Sequence, residues 1–505
     1  MTPASGGFAA AASKEGGIPV RERYEHFIGG AFSPPASGRY FSNHDPSTGE
    51  PFGAFARGDA VDVRRAVEDA AAGQSAWMAM RPAARGQVML AIASRIRRDL
   101  DALAWLESLD SGKALWLSRL DVETCARYFE YFGGVADKIL GEVIPASNEH
   151  LMYMVREPFG VTAHIIPWNA PITQAGRGAG PALAAGNAVV MKPAEETCVT
   201  TLELARICVE AGLPPGAFNV ITGYGEEAGQ ALTSDAGIRK IAFTGSVETG
   251  RRVMKAAADR VVPVTVELGG KSPFVVFDDA DLDSAASLAR KAFVLNAGQI
   301  CSAGTRLLVQ RRCVPAFVER LTRELDKVRI GPGVEDPDIG PVVSEQQRQR
   351  VERYIEIGRA EGARLAYGGY RPADSRLRGG YYVAPTLFVD VANSMTIAQE
   401  EIFGPVGCVI PFGDEEEAVR IANDTQYGLA AGVWTRDVAR SHRVAGRIQA
   451  GQVYVNDYQP IGVEAPFGGY KNSGYGREKG LEALHHYTQT KTIIVRTAPD
   501  GATAG

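Results

Sequence analysis

The 505-residue chain lacks the features that mark several large protein classes. Its six cysteines, at 125, 198, 208, 301, 313 and 408, form no CxxC pair and show no metal-ligand spacing. Neither a disulfide framework nor a zinc centre is signalled, and a reducing compartment, the cytoplasm, is expected. No uninterrupted apolar run reaches the roughly 18 residues of a membrane span; the nearest stretch, 179–191, is broken by Asn187. Lysines and arginines number 54 against 59 acidic residues, for a net charge of −5. Without clustered basic residues, neither nucleic acid nor an anionic membrane is an expected partner. The N-terminal stretch is rich in Ala, Gly and Ser but has no charged start and no apolar run, so it is not a secretory signal. Residues 1–22 read as a flexible tail. None of the seven histidines lies in a motif that pairs it with a nucleophilic thiol, which argues against a cofactor-free Cys–His hydrolase.

What is present is an ordinary globular composition, 45% hydrophobic and 22% charged, with material for two to four domains. Residues 60–138 carry helical periodicity: Ile92, Ile96, Leu100, Leu103 and Leu106 fall on one face, and Pro82 suits a first helical turn. Gly141, Pro145 and Asn148 then interrupt extended segments, which predicts a projecting hairpin over 138–158. From Val161 onward, short apolar runs at 161–166, 188–192, 218–222, 240–243 and 263–268 alternate with helical segments. That alternation predicts a doubly wound parallel sheet, with ligands beyond the carboxyl ends of the strands, where Asn169, Lys192, Gly223, Gly245 and Glu267 fall. A second α/β region follows from 274 to about 469. The expected division is a cofactor domain over 23–137 and 159–269, a catalytic domain over 270–470, and an arm made of 138–158 and 484–497.

Three stretches carry chemistry. Asn296-Ala-Gly-Gln-Ile-Cys301-Ser-Ala-Gly sets a thiol among small and polar residues directly after a helix-like segment, 282–295, where a small molecule can reach it. Val264-Thr-Val-Glu267-Leu-Gly-Gly-Lys271 puts a carboxylate at the end of an apolar strand, followed by glycines that let backbone pass close to a ligand. Ile165-Ile-Pro-Trp-Asn169 ends another strand in an amide able to donate to an oxyanion. Thiolate, oxyanion donor and base are the three requirements of acyl chemistry on sulfur. Alone, Cys301 reads as one more buried thiol and Glu267 as a capping carboxylate. Gly223-Tyr-Gly225-Glu-Glu-Ala-Gly229 follows a strand and opens a helix, with one residue too many for the usual dinucleotide fingerprint. Phe243-Thr-Gly245-Ser246 is a strand, a turn and a helix start suited to phosphate.

With Pro167-Trp-Asn169, Lys192-Pro-Ala-Glu195, Gly298-Gln-Ile-Cys301, Glu401-Ile-Phe-Gly-Pro405 and Pro466-Phe-Gly-Gly-Tyr470 in the same order, residues 24–495 resemble the aldehyde dehydrogenase superfamily. The resemblance implies that family's α/β fold: a Rossmann-type cofactor domain, an α/β catalytic domain and a β oligomerisation arm. It also implies a homodimer or homotetramer and no metal. The implied cofactor is NAD, with NADP possible, contacted by Ile165, Pro167, Trp168, Lys192, Glu195, Gly225, Gly229, Phe243, Gly245, Ser246, Leu268, Glu401 and Phe403. Cys301 would be the nucleophile, Asn169 the oxyanion donor and Glu267 the base that activates water. Glu195 predicts a preference for NAD, because its carboxylate stands where a 2′-phosphate would lie.

The resemblance places a substrate tunnel at Ala170, Thr173, Gln174, Arg177, Ile300, Ser302, Tyr458, Ile461 and Phe467. Ala170 and Gly176 are small where many relatives carry rings, which predicts a tunnel for a medium-sized, aromatic or branched aldehyde. Arg177 opens the alternative of a semialdehyde held by its carboxylate; the other reading of Arg177 is that it pairs with a structural acid or lies in solvent. Thioester transfer to coenzyme A is disfavoured by the presence of Glu267. A catalytically silent binding protein on the same fold is the alternative of another class. Relatives with a proton relay carry Lys where Gly178 stands and Glu where Leu481 is expected to align, so the proton route from Glu267 is left open.

Overall fold

The computed structural model describes residues 18–460 and 462–497. Most of the expected N-terminal tail, residues 1–17, lies outside the described residues, and so does Ile461. Residues 18–22 are not free: Arg21 pairs with Glu203 at 2.6 Å and its guanidinium lies 4.2 Å from the Phe32 ring centroid.

The first domain is built on eight strands. From one edge they run Gly474–Tyr475, Val264–Glu267, Ile238–Thr244, Val161–Ile166, Ala188–Pro193, Phe218–Val220, His26–Ile28 and Ala31–Ser33. The five central strands are parallel, and the pairings toward both edges are antiparallel. Parallel strands are covered on both faces, which is why Ala188–Pro193 is buried at every position and reads as a continuous apolar run. The preceding helical region is Ala60–Ala79, Pro82–Arg98, Leu100–Ser111 and Leu115–Gly133. Asp59 starts the first of these with a capping box closed by Asp62, and Pro82 sits in the first turn of the second.

The second domain is a seven-stranded sheet. Its order is Arg364–Tyr367, Thr386–Val389, Val406–Phe412, Arg306–Gln310, Pro273–Val276, Ala430–Trp434 and Gln452–Val455, parallel except for the first strand. Its core is keyed by Phe274, stacked on Trp434 with centroids 3.7 Å apart. The chain then returns to the first sheet: Gly474–Tyr475 pairs antiparallel with Val264–Glu267, with Gly474 opposite Glu267. Sequence periodicity assigned no element to this crossing, because a two-residue strand between glycines has no period to read.

Glu142–Ser147, His150–Pro158 and Thr488–Arg496 form a separate three-stranded antiparallel sheet, the last two paired over nine residues. It leaves Val143 70% and Ile494 58% exposed. No helix among the described residues is long and apolar enough to cross a membrane.

The Phe274–Trp434 stack is fully buried and gives a stability prediction. Phe274→Ala should cost about 3–5 kcal/mol, read as a lowered midpoint in denaturant. An unchanged midpoint would show that the second sheet is not held there.

Candidate active site

Helix Leu282–Val294, capped by Asp281, ends in a bend that presents Cys301. Asn296 (φ 54°), Ala297 (φ 53°) and Gly298 (φ 74°) take left-handed conformations in succession. For the two non-glycine residues that costs on the order of 1–3 kcal/mol each and persists only if the surroundings enforce it. They do. Asn296 Nδ2 donates to the Asn169 carbonyl (3.0 Å), Gln299 Nε2 to the Asn296 carbonyl (3.0 Å), and Val343 N–H to Gln299 Oε1 (2.9 Å). Cys301 is left half-buried, its carbonyl so close to Gly270 that a Cβ there would lie 2.5 Å away.

Asn169 follows strand Val161–Ile166 and is 8% exposed. Its Nδ2 donates to the Gln299 carbonyl at 2.9 Å, which fixes the amide against the cysteine loop and leaves its second N–H for a substrate oxygen. Glu267 ends strand Val264–Glu267 at 2% exposure, and neither carboxylate oxygen has a hydrogen-bond partner. Gly468 lets the chain pass beside it, since a Cβ there would meet Glu267 Oε1 at 2.8 Å.

Cys301, Asn169 and Glu267 all line one cavity of about 650 Å3 between the two domains. Pro167, Trp168, Gln174, Gly245, Ser246, Leu268, Glu401 and Phe403 line it too. Ser246 caps helix Val247–Asp259, whose N-terminus opens toward the space, and Trp168 meets Phe403 edge-on at 5.1 Å. Glu401 accepts from Gly270 N–H at 3.1 Å, and burial pushes its carboxyl up to about 7. Ile165, Lys192, Glu195, Gly225, Gly229 and Phe243 lie just outside the lining. Lys192 Nζ is 3.3 Å from Glu195 Oε2, and Gly229 faces the Lys192 stem. Sequence reasoning missed Gln347, Arg350 and Arg353, which close the opposite wall. They stand on helix Glu345–Ala360, whose polar run reads as a solvated face.

A profile of the Aldehyde dehydrogenase family matches residues 32–493. The chain belongs to the aldehyde dehydrogenase family. Among solved structures, a provisionally assigned aldehyde dehydrogenase from Burkholderia cenocepacia is 48% identical, with 94% of this chain and 100% of that one covered and a TM-score of 0.92. An aldehyde dehydrogenase from Bacillus cereus with NAD+ is 40% identical (95% and 98% covered, TM-score 0.93). Betaine aldehyde dehydrogenase from Staphylococcus aureus with NAD+ is 38% identical (95% and 97% covered, TM-score 0.92).

Several expectations drawn from the family resemblance need correction. The C-terminal acid that reads as missing, with Leu481 expected in its place, has a buried counterpart in Glu478. Leu481 is 56% exposed, whereas Glu478, three residues earlier, is 4% exposed and forms a close ion pair with Arg177 Nε. The signal was the glycine-flanked acid in Gly474-Tyr-Gly-Arg-Glu478-Lys-Gly480, the same kind of context as Glu267. Arg177 is not a free tunnel cation: it is 4% exposed, its Nη2 lies 3.7 Å from Glu267 Oε2, and its guanidinium sits 4.6 Å from the Phe467 ring centroid. At Gly178 a Cβ would lie 2.6 Å from His164 Nδ1, so the imidazole takes the space a longer side chain would need. Gly176 does not widen the tunnel, because it faces Cys125 Sγ, 2.7 Å from where its Cβ would be. Tyr458 is not tunnel wall either. It is fully buried against Phe274, and its hydroxyl donates to the Ser302 carbonyl at 2.7 Å. Ser302 Oγ accepts from Gln459 (2.9 Å), while Ala170, Thr173 and Ile300 remain partly exposed beside the cleft.

The electrostatics follow from burial. Desolvation pushes the Cys301 thiol up to about 11, opposed by Arg177, and pushes Glu267 well above the usual carboxylate range, again opposed by Arg177. Cys301 is therefore a neutral thiol at pH 7, burial favours the neutral form of Glu267, and both groups gain charge as pH rises. The other five cysteines are buried. Alkylation of Cys301 by iodoacetamide should thus accelerate by about tenfold per pH unit from 7 to 9, tracking the thiolate fraction. A flat rate over that range would mean that the thiol is already ionised.

Proposed function

We propose that the chain oxidises a medium-sized, aromatic or branched aldehyde to the carboxylic acid with NAD, through a thiohemiacetal and a thioester on Cys301. The observation that carries this reading is the convergence of one half-buried thiol, one anchored amide and one desolvated carboxyl on a single interdomain cavity. NAD is supported by the NAD+ complexes of the Bacillus cereus and Staphylococcus aureus relatives. It is also supported by the helix N-terminus at Ser246 for the pyrophosphate, by Lys192 and Glu195 at the neighbouring strand end, and by Glu401 and Phe403 opposite Trp168. Bound NAD supplies the hydride acceptor.

The chain's own residues do the rest. The Cys301 thiol gives its proton to solvent and the thiolate attacks the carbonyl carbon; the new C–S bond leaves an oxyanion for the Asn169 N–H and the Cys301 backbone N–H to hold. When the C–H pair has departed as hydride, the carbonyl re-forms as a thioester. Glu267, in its deprotonated form, takes a proton from water, which attacks the thioester and expels the sulfur. Coenzyme A transfer is disfavoured because Glu267 occupies this water-activating place.

The apolar character of Ala170, Ile300 and Phe467 supports an aromatic or branched substrate. Betaine aldehyde, named for the Staphylococcus aureus relative, carries a permanent cation. Here two cations, Arg177 and Lys479, lie 4.6 and 5.2 Å from the Phe467 centroid and disfavour it. Recognition of a semialdehyde by Arg177 is weakened by the Glu478 ion pair. The exposed apolar arm supports a homodimer or homotetramer, and six free thiols support a cytoplasmic setting.

Two predictions follow from the roles assigned. Cys301→Ala should abolish NADH formation while NAD still binds, and Glu267→Gln should give one burst of NADH followed by turnover slowed on the order of a hundredfold or more. Steady NADH production by the alanine variant would remove Cys301 from the mechanism, and normal turnover without a burst would remove Glu267. NAD should be preferred to NADP in kcat/KM, and Glu195→Ala should narrow the gap. Equal constants for the two cofactors in the parent enzyme would count against the Glu195 argument.

A further inference from the structure

We propose that Lys479 selects the substrate: its ammonium binds a carboxylate carried by the aldehyde at the end remote from the reacting carbonyl. The inference rests on the aldehyde-oxidation reading and deepens its substrate class.

The charge balance beside the thiol motivates it. Arg177 is matched by Glu478 and faces Glu267. Lys479 shares the Phe467 ring with Arg177 but has no carboxylate within ion-pair distance among the described residues. Among the described residues its one side-chain hydrogen bond is a long 3.5 Å bond from Nζ to the Gly462 carbonyl. Nearby, Gln459 bonds Ser302 Oγ, next to the nucleophile.

The backbone holds it there at a cost. Lys479 has φ 61° and is followed by Gly480 at φ 58°. A left-handed lysine is disfavoured by about 1 kcal/mol or more. Phe467 and Glu478 exchange both backbone bonds (2.7 and 2.8 Å), and Gly480 N–H donates to the Val463 carbonyl at 2.8 Å, so this turn is enforced. A lysine in an ordinary surface turn would point its head into water. This one lies 5.2 Å from the Phe467 ring centroid and is half-buried.

Burial, then the neighbouring Arg177, lowers the ammonium to about 8, against the opposing pull of Cys301, Glu478 and Glu267. It is therefore charged at neutral pH and loses its charge as pH rises past that value. A partly desolvated cation without an anion is unfavourable, and a substrate carboxylate supplies what the protein omits. Phe467 and Ile300 accommodate the apolar spacer between aldehyde and acid.

The test is NADH formation at pH 7 with two matched pairs: 4-formylbenzoate against benzaldehyde, and succinate semialdehyde against butanal. The quantity read is the ratio of kcat/KM, acid over neutral, in the parent enzyme, Lys479→Met and Lys479→Arg. For at least one pair the parent ratio should be about tenfold or more, carried by KM, should collapse in the methionine variant and should return in the arginine variant. In the parent it should also fall between pH 7 and 9.5. Neutral aldehydes oxidised with parent ratios near one for both pairs, or a ratio that Lys479→Met leaves intact, would overturn the inference alone. If no aldehyde yields NADH, the oxidation reading fails and takes this one with it.

Discussion

One buried guanidinium ties the reacting groups to the fold. Arg177, on helix Pro171–Ala184, reaches Glu478 on the turn after the Gly474–Tyr475 strand and faces Glu267 at the end of its own strand. Three elements far apart in sequence meet at that one side chain. Burial opposes its charge, but Glu478 and then Glu267 more than offset that, so it remains a permanent cation. A group that never releases its proton cannot relay one. Its part is to orient Glu267 and to favour negative charge on Glu267 and Cys301 when the site demands it.

The same burial that makes the site reactive keeps it quiet at rest. Desolvation favours the neutral forms of Cys301 and Glu267, and Arg177 opposes it at both. The backbone is in any case committed: the left-handed run Asn296–Ala297–Gly298 is pinned by Asn169, Gln299 and Val343, and Gly270 and Gly468 let two chain segments press against the thiol loop and the carboxyl. Strain concentrated at the nucleophile is sustained by hydrogen bonds from the surrounding chain.

Much of the architecture was legible in the residues. The alternation of apolar strands and helices announces two parallel sheets, because strands covered on both faces must be continuously apolar, and the break at Gly141, Pro145 and Asn148 announces the arm. The ordered motifs place Cys301, Asn169 and Glu267 at strand or helix ends, and the fold brings all three to one cavity. The sequence by itself determined these elements because periodicity and turn chemistry are local properties.

Only the tertiary structure decided which side chains face which. Gly176 read as space in a tunnel and Gly178 as the place of a missing relay lysine, yet Cys125 and His164 fill those places from other elements. Tyr458 reads as tunnel wall, yet its ring completes the second domain's core. Glu478 was overlooked, and the readings of Arg177 as ligand or as partner of a structural acid stayed open, because a strand of two residues crossing between domains brings Glu478 to it. Lys479 gains its position from the same crossing. Such contacts join residues hundreds of positions apart, and no local pattern encodes them: they exist only once the second domain has returned its chain to the edge of the first.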